Sequence, residues 1–162
     1  MRPDREFHEF FELHYRSLGR FAYLMLGDPD EADDLVADVF AEAWRHWGRV
    51  RRATDPLAYV RRMLVNLAAT RVRGLVRERR GGRELSVLGR GHRHDPDVAA
   101  LVDLQAALQS LPIRKRACVV LRLVLEMSEA ETAAILGISV GTVKSQTARG
   151  LAQLQARLGV EG

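Results

Sequence analysis

The chain has a single cysteine, Cys118, among 162 residues. No disulfide can therefore form within it, and the place of Cys118 in an apolar run predicts a buried, reduced thiol. Aromatic residues make up only 6% and β-branched runs are scarce, which argues against a sheet and predicts an all-α chain. No window approaches 18 uninterrupted apolar residues, and the opening MRPDREFHEF has no apolar h-region. Neither membrane spanning nor secretion is supported, and a cytosolic protein is expected. Patterns that carry catalysis are missing too: no glycine-rich phosphate loop follows a strand, no serine sits in a nucleophile elbow, and no Cys or His cluster appears. His92 and His94 lie in an arginine-rich stretch without further ligands. His8, Glu9, Glu12 and His14 lack a matching Glu-x-x-His on another helix. No metal, cofactor or small-molecule substrate is expected, and the chain does not read as an enzyme.

What the chain does have is charge, 28% of residues, with a net charge of +4 and a pI near 9.8. That balance fits a polyanion partner without proving one. The distribution says more. From Ser128 to Leu158 the sequence reads as two short helices joined at Gly137. Ser128 caps the first with Glu131 at its third position, and Gly137 takes the left-handed conformation that ends it. Ser139 caps the second, in which Val140, Val143, Leu151, Leu154 and Leu158 share one face as core. Ala133 is small enough to let the helices approach, and Val143 is the apolar plug between them. The opposite face carries Thr142, Lys144, Ser145, Gln146 and Arg149, groups suited to base edges and phosphates, and no acid occurs from Val140 to Arg157. A helix-turn-helix in the major groove and a helical hairpin with a solvated face both satisfy this pattern.

Upstream, Phe7, Phe10, Phe11, Leu18, Phe21, Ala22 and Met25 predict an amphipathic helix closed by Gly27. Asp28 and Pro29 start a second, whose stripe runs unbroken from Ala32 through Leu35, Val36, Val39, Phe40, Ala43 and Trp44 to Trp47. Its other face is acidic, with Asp33, Asp34, Asp38 and Glu42, either a solvated surface or a seat for a basic partner. A third helix from Pro56 to about Arg79 buries Leu57, Val60, Leu64, Leu67, Ala68, Val72 and Leu75. A second line along it, Arg62, Asn66, Thr70, Arg73 and Arg77, suits a nucleic-acid backbone or simply water. The glycine- and arginine-rich text RERRGGRELSVLGRGHRHD reads as a flexible linker. Two small helical domains follow from it, residues 1–79 and 95–162, joined by a basic linker at 80–94. In the second, Asp95 and Pro96 open a helix to Gln109. Ser110 and Pro112 open another, whose Ile113, Ala117, Val120, Leu121 and Val124 pack beneath the helix-turn-helix.

Taken together, the two halves resemble the extracytoplasmic-function group of the sigma-70 family of RNA polymerase sigma factors. GDPDEADDLVADVFAEAW is similar to region 2.1 to 2.2, DPLAYVRRMLVNLAATRVR to region 2.3 to 2.4, and LPIRKRACVVLRLVLEMSEAETAAILGISVGTVKSQTARGL to region 4. The resemblance implies a region 2-like helical bundle and a region 4-like helix-turn-helix domain. It also implies a function in directing core RNA polymerase to promoters and supporting initiation, with core polymerase (β′ coiled coil and β flap) and promoter DNA as partners and an anti-sigma factor as a candidate third. By residue, it assigns core binding to Asp34, Leu35, Val36, Asp38, Val39 and Phe40. Tyr59, Arg62, Asn66 and Arg73 match the face reading the −10 element, and Thr142, Lys144, Ser145, Gln146 and Arg149 the helix reading the −35 element. The sequence departs from the family pattern at Ala37, usually glutamine, Tyr59, usually tryptophan, and Gln146, often arginine. A regulator using the same helix-turn-helix without polymerase leaves the N-terminal motifs unexplained, and a purely protein-binding adaptor predicts no salt-dependent DNA affinity.

Overall fold

In a computed structural model, residues 2–80 and 96–160 are described; they are helical throughout, with no strand among them. Most of the predicted linker, and the Asp95 cap, lie outside these residues.

α1 spans Pro3–Leu26. Proline at its first position loses no helical hydrogen bond, and Asp4 and Glu6 favour the positive end of the dipole. Gly27 ends it at φ 75°, donating its N–H to the Tyr23 carbonyl at 2.8 Å. α2 spans Pro29–Arg45 and begins on the Asp28 carboxylate, which accepts from the N–H groups of Asp30 (2.9 Å) and Glu31 (3.0 Å). The apolar stripe does not run straight to Trp47 as expected. Backbone at His46 leaves the helical region (φ −112°, ψ 23°), and Trp47–Val50 form a separate turn, α3. The break turns Trp47 into the core at 6% exposure while Trp44 stays 46% exposed. Trp47 then meets Phe7 and Phe10 with ring centroids 5.2 and 5.4 Å apart. Phe11, Tyr15, Phe40 and Trp44 join the same cluster, so the chain concentrates its few aromatic rings where α1, α2 and α3 meet.

α4, Pro56–Arg80, starts on Asp55, whose carboxylate accepts from the Ala58 N–H at 3.0 Å. It buries Val60, Leu64, Val65 and Ala68, while Leu57, Leu67, Val72 and Leu75 are only half-buried. The second half comprises α5 (Pro96–Ser110), α6 (Ile113–Val119), α7 (Glu129–Leu136) and α8 (Val140–Leu158). A π-helical turn, Val120–Val124, extends α6; its wider register is seen where the Leu125 N–H reaches the Val120 carbonyl at 2.9 Å. That extra residue rotates the apolar face, so Val120 and Leu121 are buried but Val124, expected inside, is 45% exposed.

α7 and α8 form the predicted helix-turn-helix. Ser128 Oγ accepts from the Glu131 N–H and Ser139 Oγ from the Thr142 N–H, both at 3.0 Å, and Gly137 turns at φ 67°. Val143 is fully buried between the helices. The core face of α8 is narrower than expected: Val143 and Leu154 are buried, whereas Val140, Leu151 and Leu158 lie at the edge, 36–40% exposed. Gly150 is buried instead, because α8 crosses α6 so closely that a Cβ there would stand 2.5 Å from Val119 Cγ2.

The two halves share one hydrophobic cluster, in which Met25 of α1 and Leu64 of α4 belong with Leu108 and Leu111 of the second half. α1 packs on α5 and α6, and α4 on α6 and α7. This differs from the expectation of two readers held together only by a tether. The reason is polar as well as apolar: Gln105, Gln109 and Arg116 of the second half all donate to carbonyls at the end of α1.

Candidate functional site

Three faces carry the residues singled out from the sequence. On α2, Asp33, Asp34 and Asp38 are exposed, with Ala37 between them. Leu35, Val36, Val39 and Phe40 are 0 to 5% exposed and belong to the core. Their side chains set the position of the strip; a docked partner meets the carboxylates. The strip is not uniformly free. Arg71 of α4 crosses to it, donating to Glu31 at 2.9 Å and to Asp38. Burial opposes the charge on Arg71, but its hydrogen bonds to Asp38 and Glu31 outweigh that and raise its pKa. Glu42 is held by Arg45 and by His46 at 3.0 Å. Asp33 and Asp34 form no ion pair among the described residues, so the outward negative potential comes mainly from them.

On α4, Arg62, Asn66, Thr70, Arg73 and Arg77 are all exposed, as the spacing required, and Tyr59 is half-buried. Tyr59, Arg62 and Asn66 line an open groove of about 530 Å³ whose far wall is His46 and Arg49. Those two were not picked out as site residues. Arg49 was visible only as one of several arginines after α2, and the break at His46 that swings it towards α4 has no signature in the apolar stripe. A groove with an aromatic ring, an amide and two guanidiniums along it can stack a base and bind phosphate. Arg73 lies further along the helix, outside this groove.

On α8, Thr142, Lys144, Ser145 and Arg149 are exposed and Gln146 is half-buried. Two hydroxyls are engaged locally: Thr142 Oγ1 lies 2.8 Å from Ser139 Oγ, and Ser145 Oγ donates to the Thr142 carbonyl at 3.1 Å. Lys144 and Arg149 form no ion pair among the described residues and remain the cations of that face. The −10 and −35 candidate faces meet at one point. The Arg62 guanidinium packs on the helix-turn-helix glycine so closely that a Cβ at Gly137 would lie 2.9 Å from Arg62 Nη2. Beside it, burial lowers the pKa of Arg61, while Asp55 and, from α7, Glu131 favour its charge. Cys118 is buried, and burial pushes its thiol pKa up, which fits an inert thiol. Among the described residues, no three His, Cys, Asp or Glu side chains gather as metal ligands, and no helix is long and apolar enough to cross a membrane.

An acidic helix, an arginine-lined helix and a helix-turn-helix define a helical protein that binds nucleic acid. Comparison with known families makes this specific: Sigma-70 region 2 matches residues 10–78, and Sigma-70 region 4 matches residues 101–154. The RNA polymerase sigma-E factor of Streptomyces coelicolor is 34% identical over 155 residues, covering 94% of this chain and 86% of that protein. The ECF RNA polymerase sigma factor SigM of Mycobacterium tuberculosis is 33% identical over 153 residues, covering 94% and 77%. Among solved structures, the sigma factor RpoE in complex with the anti-sigma factor NepR from Bartonella quintana is similar at a TM-score of 0.78, with 26% identity over 98% of this chain and 99% of that one. CnrH in complex with the cytosolic domain of CnrY gives a TM-score of 0.66 at 26% identity, covering 98% and 91%. The chain belongs to the extracytoplasmic-function group of the sigma-70 family, whose members direct core RNA polymerase to promoters.

Proposed function

We propose that this sigma factor divides its work among the three faces. The carboxylates of α2, Asp34 foremost with Asp38, meet a basic surface of core polymerase. Tyr59, Arg62 and Asn66 hold the −10 element, with Arg73 contacting its backbone further along. Lys144, Gln146 and Arg149, supported by Thr142 and Ser145, enter the major groove at the −35 element. In this reading residues 1–79 act as the region 2 domain, 80–94 as the linker and 95–162 as the region 4 domain. The chain works in the cytoplasm with no catalytic group of its own. The observation that supports this best is the unbroken exposed line Arg62–Asn66–Thr70–Arg73–Arg77 on α4, which tertiary packing leaves open although the same helix is buried on its other side. Stacking on Tyr59 suits an unpaired base, since every base offers a π-face to an aromatic ring.

An anti-sigma factor is proposed as a further partner, because RpoE and CnrH, the structures similar to this chain along nearly its whole length, are both seen bound to one. The test is run-off transcription with core enzyme on a candidate promoter, paired with a pull-down of core. Core-dependent initiation supports the reading; DNA binding without any core affinity would leave a helix-turn-helix regulator in its place.

A further inference from the structure

The groove beside Tyr59 has two unlike walls. α4 supplies Tyr59, Arg62 and Asn66, while the break between α2 and α3 supplies Glu42, His46 and Arg49. Backbone hydrogen bonds set this second wall. The His46 N–H reaches back to the Glu42 carbonyl at 3.1 Å, and the His46 carbonyl accepts from the N–H groups of Arg49 (2.9 Å) and Val50 (3.1 Å). Trp47 and Val50 are buried and anchor the turn in the core, so His46 and Arg49 are held at the groove rather than on a free loop. The imidazole is partly exposed, and its Nε2 lies 3.0 Å from Glu42 Oε1; the other oxygen of that carboxylate is taken by Arg45.

Charge at this wall is unevenly answered. Among the described residues Glu42 is the only carboxylate lining the groove, and it already serves Arg45. Arg49 on the same wall and Arg62 across the groove form no ion pair among the described residues. On the α1 side, Glu6 is taken by Arg51, and Arg52 is turned to the Gly48 carbonyl at 2.7 Å. A proton on His46 therefore leaves one carboxylate between two cations, and a phosphate of a strand lying in the groove supplies the missing charge. Histidine is the side chain whose charge ordinarily changes between about pH 5 and pH 8, and its charged ring donates from both nitrogens where the neutral ring donates from one. Of the described histidines only His46 lines the groove: His8 lies beside Glu12 on α1, and His14 packs against Phe10.

We propose that strand binding in this groove is proton-linked: protonated His46, with Arg49 beside it, holds a backbone phosphate opposite the base stacked on Tyr59, so that the sigma factor grips its −10 element more tightly as pH falls. The inference rests on the assignment of Tyr59, Arg62 and Asn66 to that element. Linkage is reciprocal, so the bound strand favours proton uptake at His46 in turn. Protonation adds one phosphate contact, and each contact steepens the fall of log affinity with log salt by about 0.7 for a single strand.

The test is fluorescence anisotropy of a short, dye-labelled single-stranded oligonucleotide of randomised sequence, titrated with the full-length protein, alone and with core polymerase. Titrations at about pH 8 and about pH 6, each over a range of salt, bracket the ordinary histidine value of about 6.5. Parent affinity should rise at least about fivefold at the lower pH, the lower end of usual coupling between two sites. The salt slope should steepen there by about 0.7. His46→Gln, which cannot titrate, should stay at the weaker level at both pH values. His46→Lys, whose charge is permanent over this range, should stay at the tighter level at both, a pattern that a merely structural role would not produce. Arg49→Gln should weaken binding at both while keeping the difference. Circular dichroism confirms that each variant stays helical. The same pH difference in the parent and in both His46 variants would overturn the proton link while leaving the −10 reading in place. Absence of binding by the parent in either state, or binding that Tyr59→Ala and Asn66→Ala leave unchanged, would overturn the −10 reading of the groove and the link with it.

Discussion

Arg71 on α4 holds Asp38 on α2, thirty-three positions earlier in the chain, and the same guanidinium donates to Glu31. One cation thus ties the acidic strip to the helix that carries the −10 candidates, and it divides the strip into carboxylates that serve the fold and carboxylates free to serve a partner.

The consequence is a difference between two substitutions that look alike in sequence. Asp34→Lys changes an exposed carboxylate with no ion pair among the described residues. It should weaken core polymerase binding, slow association most at low salt, and leave the unfolding free energy within about 0.5 kcal/mol of the parent. Asp38→Lys places a cation beside Arg71, so it should lower thermal stability as well as core affinity. Pull-down of core and thermal melts on both variants separate the effects; equal core binding by Asp34→Lys and the parent would remove α2 from the interface.

At the −35 face the structure sorts the candidates by freedom. Lys144 and Arg149 are exposed and form no ion pair among the described residues, while Thr142 and Ser145 place hydrogen bonds within the first turn of α8. Loss of a bidentate base contact costs about 1–3 kcal/mol and relaxes preference at one position, whereas loss of a phosphate contact weakens all sequences and reduces the salt slope by about one. Arg149→Ala and Lys144→Ala should therefore each weaken binding of promoter duplex, and salt titration assigns each to base or phosphate. If duplex affinity is unchanged in both, α8 is not the reading helix.

Gly150 is a third point of leverage. Alanine usually gains about 1 kcal/mol over glycine inside a helix. Here the new methyl would lie 2.5 Å from Val119 Cγ2 and 3.1 Å from Lys115 Cγ. Val119 is 2% exposed and β-branched, so it cannot swing aside. Overpacking of this kind costs about 1–3 kcal/mol, which exceeds the propensity gain. Gly150→Ala should lower the melting midpoint and loosen α8 from α6, weakening −35 binding without altering core affinity. A stabilised variant would mean that α6 and α8 sit further apart than described.

Local signals were legible in the sequence and long-range ones were not. Caps at Asp28, Ser128 and Ser139, and the turns at Gly27 and Gly137, stand where residue type alone put them, because each is fixed by the backbone groups of its nearest neighbours. The helix-turn-helix and the exposed line on α4 follow from the same short-range rules. Three features depended on tertiary packing. Trp47 reaches the core only because His46 breaks α2. Val124 is exposed because a π turn shifts the register of α6. Arg116 reads in sequence as one more surface cation in the run IRKRA, yet it is buried, since its partners are carbonyls and carbonyls leave no mark in a sequence. The docking of the halves was missed for that same reason.

His14 offers a test of packing at the junction of α1 and α4. Its ring lies 4.6 Å from that of Phe10. Burial lowers its pKa, the nearby Arg61 lowers it further, and Asp55 acts in the opposite sense. With the folded value below the unfolded one of about 6.5, the unfolded chain takes up a proton first as pH falls, so stability is fully present above that value and declines below it. The parent should therefore melt lower at pH 5 than at pH 7. His14→Gln, which keeps a polar group of similar reach and cannot titrate, should lose part of that difference. Since the residue is only half-buried, the effect should be small, and comparison of the two proteins at each pH cancels every other titrating group. Identical pH dependence in parent and variant would mean that the His14 proton is indifferent to folding and that Arg61 does not face it in solution.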